Sequence, residues 1–145
     1  MKNNLLGAVI AGVLVFVCSQ ITLKLFIEPA ISLRGVIGEV CSFVLQNHAK
    51  ISNASESDEL SRKAKELSAK LMASTFSILC YSFIRILFRL PKKQFILEAS
   101  KSLNIISHVL YPGARQAVNS TDCIQKVNEE KDNLSKLLGI PTNYE

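Results

Sequence analysis

An all-α fold is predicted, in which an N-terminal transmembrane helix leads into a small domain of about four helices. Three observations carry it: an uncharged apolar run near the N-terminus, apolar residues recurring at three- and four-residue steps elsewhere, and no alternating stretch long enough for a sheet. Residues 5–23 hold no charge. Their mean hydropathy is roughly 2, and the run is about as long as a helix must be to cross ~30 Å of hydrocarbon. A core helix of a soluble domain would show a polar face, and here polar side chains enter only at Ser19, Gln20 and Thr22. A cleaved secretory signal is not expected. It wants a positive start, an apolar centre of about 7–15 residues and small residues before the cut. This start carries only Lys2, the apolar run is longer, and the one lipoprotein-like spot, Val15-Phe16-Val17-Cys18, has a bulky valine where a small residue must stand. Residues 1–28 are therefore read as a membrane anchor and 29–145 as a helical domain.

Each later element has its own signal. Glu28-Pro29 is expected to end or kink the anchor, because proline lacks a donor and clashes with the preceding turn. Leu33, Val36, Ile37, Val40, Val44 and Ile51 then form one face of a helix over about 30–50. Gly35 and Gly38 weaken that helix by about 1 kcal/mol each relative to alanine, so close packing or a bend is expected there. The run "SNASESDEL" offers capping residues for a helix near 56–73, with Leu60, Ala64, Leu67 and Leu71 inward and a charged outer face. After Pro91, Phe95, Ala99, Leu103, Ile106 and Leu110 mark a helix near 92–110. Tyr111-Pro112-Gly113 stops it and opens a loop to about Asn119. The last helix, near 120–138, carries Ile124, Val127, Leu134 and Leu138, with Gly139 and Pro141 as its end signals.

The stretch 74–90, inside "TFSILCYSFIRILFRLPKK", is apolar nearly all round and leaves three readings open. Five of the ten aromatics lie between Phe76 and Phe95. The stretch is a packed core helix, a second crossing, or a segment lying in the headgroup layer. A crossing would hold Arg85 in hydrocarbon at a cost of a few kcal/mol. A headgroup segment would turn Phe76, Phe83 and Phe88 down and Arg85, Arg89, Lys92 and Lys93 toward lipid phosphate.

Charge and chemistry bound the function. The net charge is +5 and the pI about 9.1, which suits an anionic bilayer surface; no arginine-rich run or recognition motif favours nucleic acid. Lys24, Arg34 and Lys50 follow the anchor against Lys2 and the amino terminus before it, so the domain is expected on the cytoplasmic side of a bacterial inner membrane, with the N-terminus outside. Cys18, Cys41, Cys80 and Cys123 show no disulfide-like spacing. The sequons at Asn53 and Asn119 matter only in a glycosylating lumen. His48 and His108 are read as ordinary helix-surface residues, since zinc needs at least three ligands. Glu39 is read as a surface carboxylate near Arg34 or Lys50. Gly7, Ala8, Ala11 and Gly12 place small residues one turn apart in the anchor, the spacing at which membrane helices approach closely. No catalytic residue, metal or cofactor is expected.

The segments "LKLFIEPAISLRGVIGEV", "LPKKQFILEASKSLNIISHVL" and "KLLGIP" together resemble a group of small uncharacterised bacterial single-pass membrane proteins. In that group an anchor passes through a Phe-Ile-Glu-Pro turn into a Leu-Arg…Ile-Gly-Glu helix. The resemblance implies one anchor and a helical cytoplasmic part, and it brings no activity, cofactor or site residues with it. The expectation is a non-catalytic interaction or regulatory protein held at the membrane, with the bilayer and a protein partner, or a second copy, as its contacts. The alternative is a defence or toxicity effector whose helical domain senses a ligand or partner and perturbs the bilayer.

Overall fold

The computed structural model describes residues 2–113 and 120–142, and these are helical with connecting turns and no strand. The predicted loop beyond Gly113 falls on 114–119, outside the described residues. The helices are α1 (Lys2–Thr22), α2 (Glu28–Gln46), α3 (His48–Ser52), α4 (Asp58–Phe76), α5 (Tyr81–Phe88), α6 (Lys93–Leu110) and α7 (Ser120–Leu138).

The chain does not end its first helix at Glu28-Pro29. Helix runs unbroken over Gly7–Gln46, so the expected boundary between anchor and domain lies inside one element. Leu23–Ile27 widens into a π-helical turn, in which the Glu28 N–H donates to Leu23 O, five residues back. Proline at 29 has no N–H to offer the carbonyl four residues earlier, and its ring crowds that turn. The wider turn, just before it, re-pairs the backbone so that the helix can pass. An 18-residue window of this helix has a mean hydropathy of 2.1, and none of it is buried. Burial begins at Phe26, which packs against the core, and is complete at Ala30 and Leu33.

From that point the chain builds an up-down-up-down bundle. Glu39 of α2 meets Lys70 of α4 at 3.1 Å, while Asn47 and Leu60 share a groove toward the far end, so these helices are antiparallel. Ser68 and Ser61 of α4 bond Ser100 and Ser107 of α6, which makes that pair antiparallel too. At the far end the Ser57 N–H donates to Leu110 O at 2.8 Å. α7 packs on α6 and runs back toward the α1 end: Asn128 Nδ2 donates to Ser52 O at 3.2 Å, and Cys41 Sγ to Pro141 O at 3.5 Å.

The core lies between these four helices, with Leu33, Val40 and Val44 of α2, Leu67 and Leu71 of α4, Leu103 and Ile106 of α6 and Leu134 of α7 wholly buried. α4 starts where Ser57 Oγ accepts from the Leu60 N–H, and its Asp58 and Glu59 suit the positive end of the helix dipole. α7 ends at Gly139, whose φ of 64° lets its N–H reach Ser135 O at 2.9 Å.

The structure shifts several predicted positions. The 30–50 helix breaks at Asn47, so that Ile51 reaches the core from α3. In α6 the inward residue of the first turn is Ile96, and Phe95 faces out beneath Lys92. In α7 Cys123 is buried where Ile124 was expected, and Ile124 is exposed. Gly35 and Gly38 do not serve close packing: nothing lies within 4 Å of where a Cβ would stand on either. Glu39 is a surface carboxylate, but its partner is Lys70.

The seam between α4 and α6 is built from serines. Ser61 Oγ donates to Ser107 O at 2.8 Å. Ser68 Oγ donates to Ser100 O at 2.8 Å, and Ser100 Oγ returns to Ser68 O at 3.0 Å. Small side chains let the two backbones approach, and each buried hydroxyl is satisfied by the opposite helix.

Candidate functional site

The feature with chemistry of its own is the connection between α4 and α6, at the end of the bundle nearest α1. It begins where α4 stops at Phe76, turns through Ser77–Cys80 and resumes as α5, whose axis is bent by 108° from α4. Both ends of α5 carry left-handed residues other than glycine, Cys80 with φ 52° and Arg89 with φ 48°. Each costs about 1–2 kcal/mol in an L-residue, so the surrounding contacts must hold them. At the C-terminal end they do so through a left-handed cap: the Arg89 and Leu90 N–H groups both reach Arg85 O, and Leu90 is buried. Tyr81 Oη donates to Pro91 O at 2.7 Å and ties the start of α5 to the start of α6. Burial pushes this phenol up to about 12, with the Arg85 charge acting weakly against it.

The two faces of α5 differ sharply. Ile84 is 1% exposed, and Tyr81 and Phe88 pack beside it on the bundle core. On the opposite face Phe83 is 68%, Ile86 75% and Leu87 64% exposed, and Phe76 and Leu79 continue the apolar surface through the turn. A helix that is apolar all round is ordinarily covered all round; this one is covered on one side. Cations rim the open side. Lys93 Nζ lies 4.3 Å from the Phe76 ring centroid and Lys92 Nζ 5.5 Å from that of Phe95, Arg89 is exposed, and Arg85 is half-buried at the edge of the face. Residues 71–97 hold four cations and no acid.

The structure thus brings Arg85, Arg89, Lys92, Lys93, Phe76 and Phe83 together at one end of the bundle. Phe88 is the exception, since it turns inward onto the core. Leu79, Ile86 and Leu87 belong to the exposed face and were not foreseen. With apolar residues on every side of 74–90, periodicity could not say which side the bundle takes. The stretch does not form one continuous helix, because the break at Ser77–Cys80 separates α4 from an eight-residue α5. The small residues Gly7, Ala8, Ala11 and Gly12 are exposed along α1, and neither glycine has a neighbour within 4 Å of a Cβ position.

Elsewhere polar groups serve the fold. Lys131 is 5% exposed. Its Nζ donates to Ser52 Oγ at 2.8 Å and lies 3.2 Å from His48 Nε2. Burial lowers its ammonium below the usual lysine range, with the Asp132 charge acting the other way. His48 is therefore a half-buried contact joining α3 to α7 rather than a plain surface residue, while His108 is exposed. Lys70 bridges Glu66 at 3.0 Å and Glu39 at 3.1 Å. The hydrogen bond to Glu66 and then that to Glu39 raise its pKa, though exposed pairs of this kind add little to stability. All four cysteines are free. Among the described residues no three His, Cys, Asp or Glu side chains come together as a metal would require. No family model, curated protein or solved structure matches the chain.

Proposed function

We propose that this chain is a single-pass membrane protein whose helical bundle is held at the cytoplasmic face of a bacterial inner membrane as a non-catalytic interaction module. The observation that carries the reading is the 40-residue helix Gly7–Gln46, apolar and uncovered in its first half and wholly built into the bundle in its second. One element is thus both anchor and framework, and the bundle is displayed at a set distance from the bilayer. Lys24, Arg34 and the cations around α5 gather at the anchor-proximal end of the bundle, against Lys2 before the helix, and this asymmetry supports a cytoplasmic domain. The contacts this reading gives the bundle are the bilayer and a protein partner or second copy.

A phosphatase or fluorescent-protein fusion after Glu145 tests it. Fluorescence without periplasmic phosphatase activity is the expected result, and an active periplasmic phosphatase overturns it. The exposed apolar face of α5 beside the anchor also favours a second reading, an effector that perturbs the bilayer when its domain senses a ligand or partner. Overexpression separates the two: growth arrest with loss of membrane potential supports the effector, and undisturbed growth supports the module.

A further inference from the structure

We infer that α5 lies flat in the headgroup layer of the leaflet from which the anchor emerges, with its outer face against anionic lipid. This rests on the single-span reading and names the partner of the basal face.

The first ground is height. Along the anchor every described side chain is exposed through Leu25, and burial starts at Phe26 and is complete at Ala30. The base of the bundle therefore begins where the apolar run ends. The pairing of Glu39 with Lys70, continued turn by turn, puts Phe76 level with Leu33 and the turn after it level with Pro29. At 1.5 Å per residue, α5 stands roughly 5–10 Å beyond the end of the apolar run, about the thickness of the headgroup layer that lies outside the hydrocarbon.

The second ground is direction. α4 is antiparallel to α2, which continues the anchor, and α5 is bent by 108° from α4. Its axis therefore runs across the anchor, along the plane a bilayer surface would occupy. The third ground is composition. The outward face presents Phe83, Ile86 and Leu87, and the flanking stretch holds four cations and no acid. That is the pattern by which short amphipathic segments seat in anionic interfaces. A protein partner on this face would have to sit within the headgroup layer itself. The left-handed residue Cys80 stands where the chain turns into this plane, and Arg89 where it leaves it.

The chain contains no tryptophan, so single-tryptophan variants of the full-length protein report depth without interference. Phe16→Trp, Phe83→Trp and Tyr111→Trp would be reconstituted in phosphatidylcholine vesicles with and without phosphatidylglycerol, using acyl-chain-brominated lipid as quencher. The expected result is strong quenching and blue-shifted emission at 16, quenching and a blue shift at 83 that deepen with phosphatidylglycerol, and aqueous, unquenched emission at 111. Replacing Arg85, Arg89, Lys92 and Lys93 with glutamine in the Phe83→Trp variant should remove the dependence on phosphatidylglycerol. Quenching at 16 with aqueous, unquenched emission at 83 overturns the inference alone and leaves the face to a protein partner. Absence of quenching at 16 overturns the single-span reading and the inference with it. Equal quenching at 83 with and without phosphatidylglycerol overturns the role given to the cations. Phe83 is 68% exposed, and an unchanged far-UV circular dichroism spectrum would show that the variant is folded.

Discussion

The α4–α6 seam hides serine hydroxyls, while the α5 face of the same bundle exposes phenylalanine, isoleucine and leucine. Ordinary sorting by polarity would have arranged them the other way round. The serines are explained from within: Ser61, Ser68 and Ser100 donate across the seam to carbonyls, and the Ser107 hydroxyl pairs with that of Ser61. The open face of α5 has no such internal account, because nothing in the described chain covers Ile86 while Ile84, two residues away, is buried. Buried polarity was solved by the fold. Exposed apolarity was left for the surroundings.

The contrast can be broken or sharpened by substitution, followed as chemical denaturation of the full chain in mild detergent. Leu67→Ala or Leu103→Ala, each removing a wholly buried side chain, should cost about 2–5 kcal/mol through lost burial and the cavity left behind. Ser68→Val should cost about 1–3 kcal/mol, since branched bulk is forced between closely spaced helices and Ser100 loses its hydroxyl partner. A neutral or stabilising result would show that the seam is not tightly fitted.

Tyr81→Phe should cost about 0.5–1.5 kcal/mol at neutral pH by losing the bond to Pro91 O. Its effect should also depend on pH. The folded phenol titrates at about 12, above its ordinary value of 10.0, so the unfolded chain gives up its proton first. Stability from this group is complete below pH 10 and falls as pH rises from about 10 toward 12. The gap between the native protein and Tyr81→Phe should therefore narrow over that interval. Arg89→Gly should add about 0.5–1 kcal/mol by relieving the left-handed cap, net of glycine's larger unfolded-state entropy. Ile86→Ser should fall within about 0.5 kcal/mol. A cost above 2 kcal/mol would mean that the outer face of α5 is covered within the protein.

The regular part of this molecule was legible in the residues. Leu60, Ala64, Leu67 and Leu71 mark the inner face of α4, and the uncharged run 5–23 marks the exposed apolar helix, because both are repeated local patterns. Positions set by packing between helices were not. Whether Phe95 or Ile96 enters the core depends on where α6 starts relative to α4, and Cys123 displaces Ile124 through contacts far away in sequence. Proline at 29 marks a stop or a kink, and the π turn just before it lets the helix continue. The candidate site was half visible. Its cations and aromatics stand out in the sequence, but a stretch apolar on every side carries no phase, so Ile86 and Leu87 could be assigned outward only once Ile84 was seen to face in.

The unbroken helix through Pro29 has a mechanical consequence. A flexible linker would let a head swivel independently of the apolar segment before it; here the apolar segment and the first strut of the bundle are one helix. On the proposed reading, a bilayer too thin for the apolar run makes that helix lean, and the whole bundle leans with it. Leaning toward α5 presses its outer face into the headgroups, and leaning away lifts it clear. The protein would thereby carry bilayer thickness outward as the attitude of its head, using a lever about 60 Å long over Gly7–Gln46 at 1.5 Å per residue.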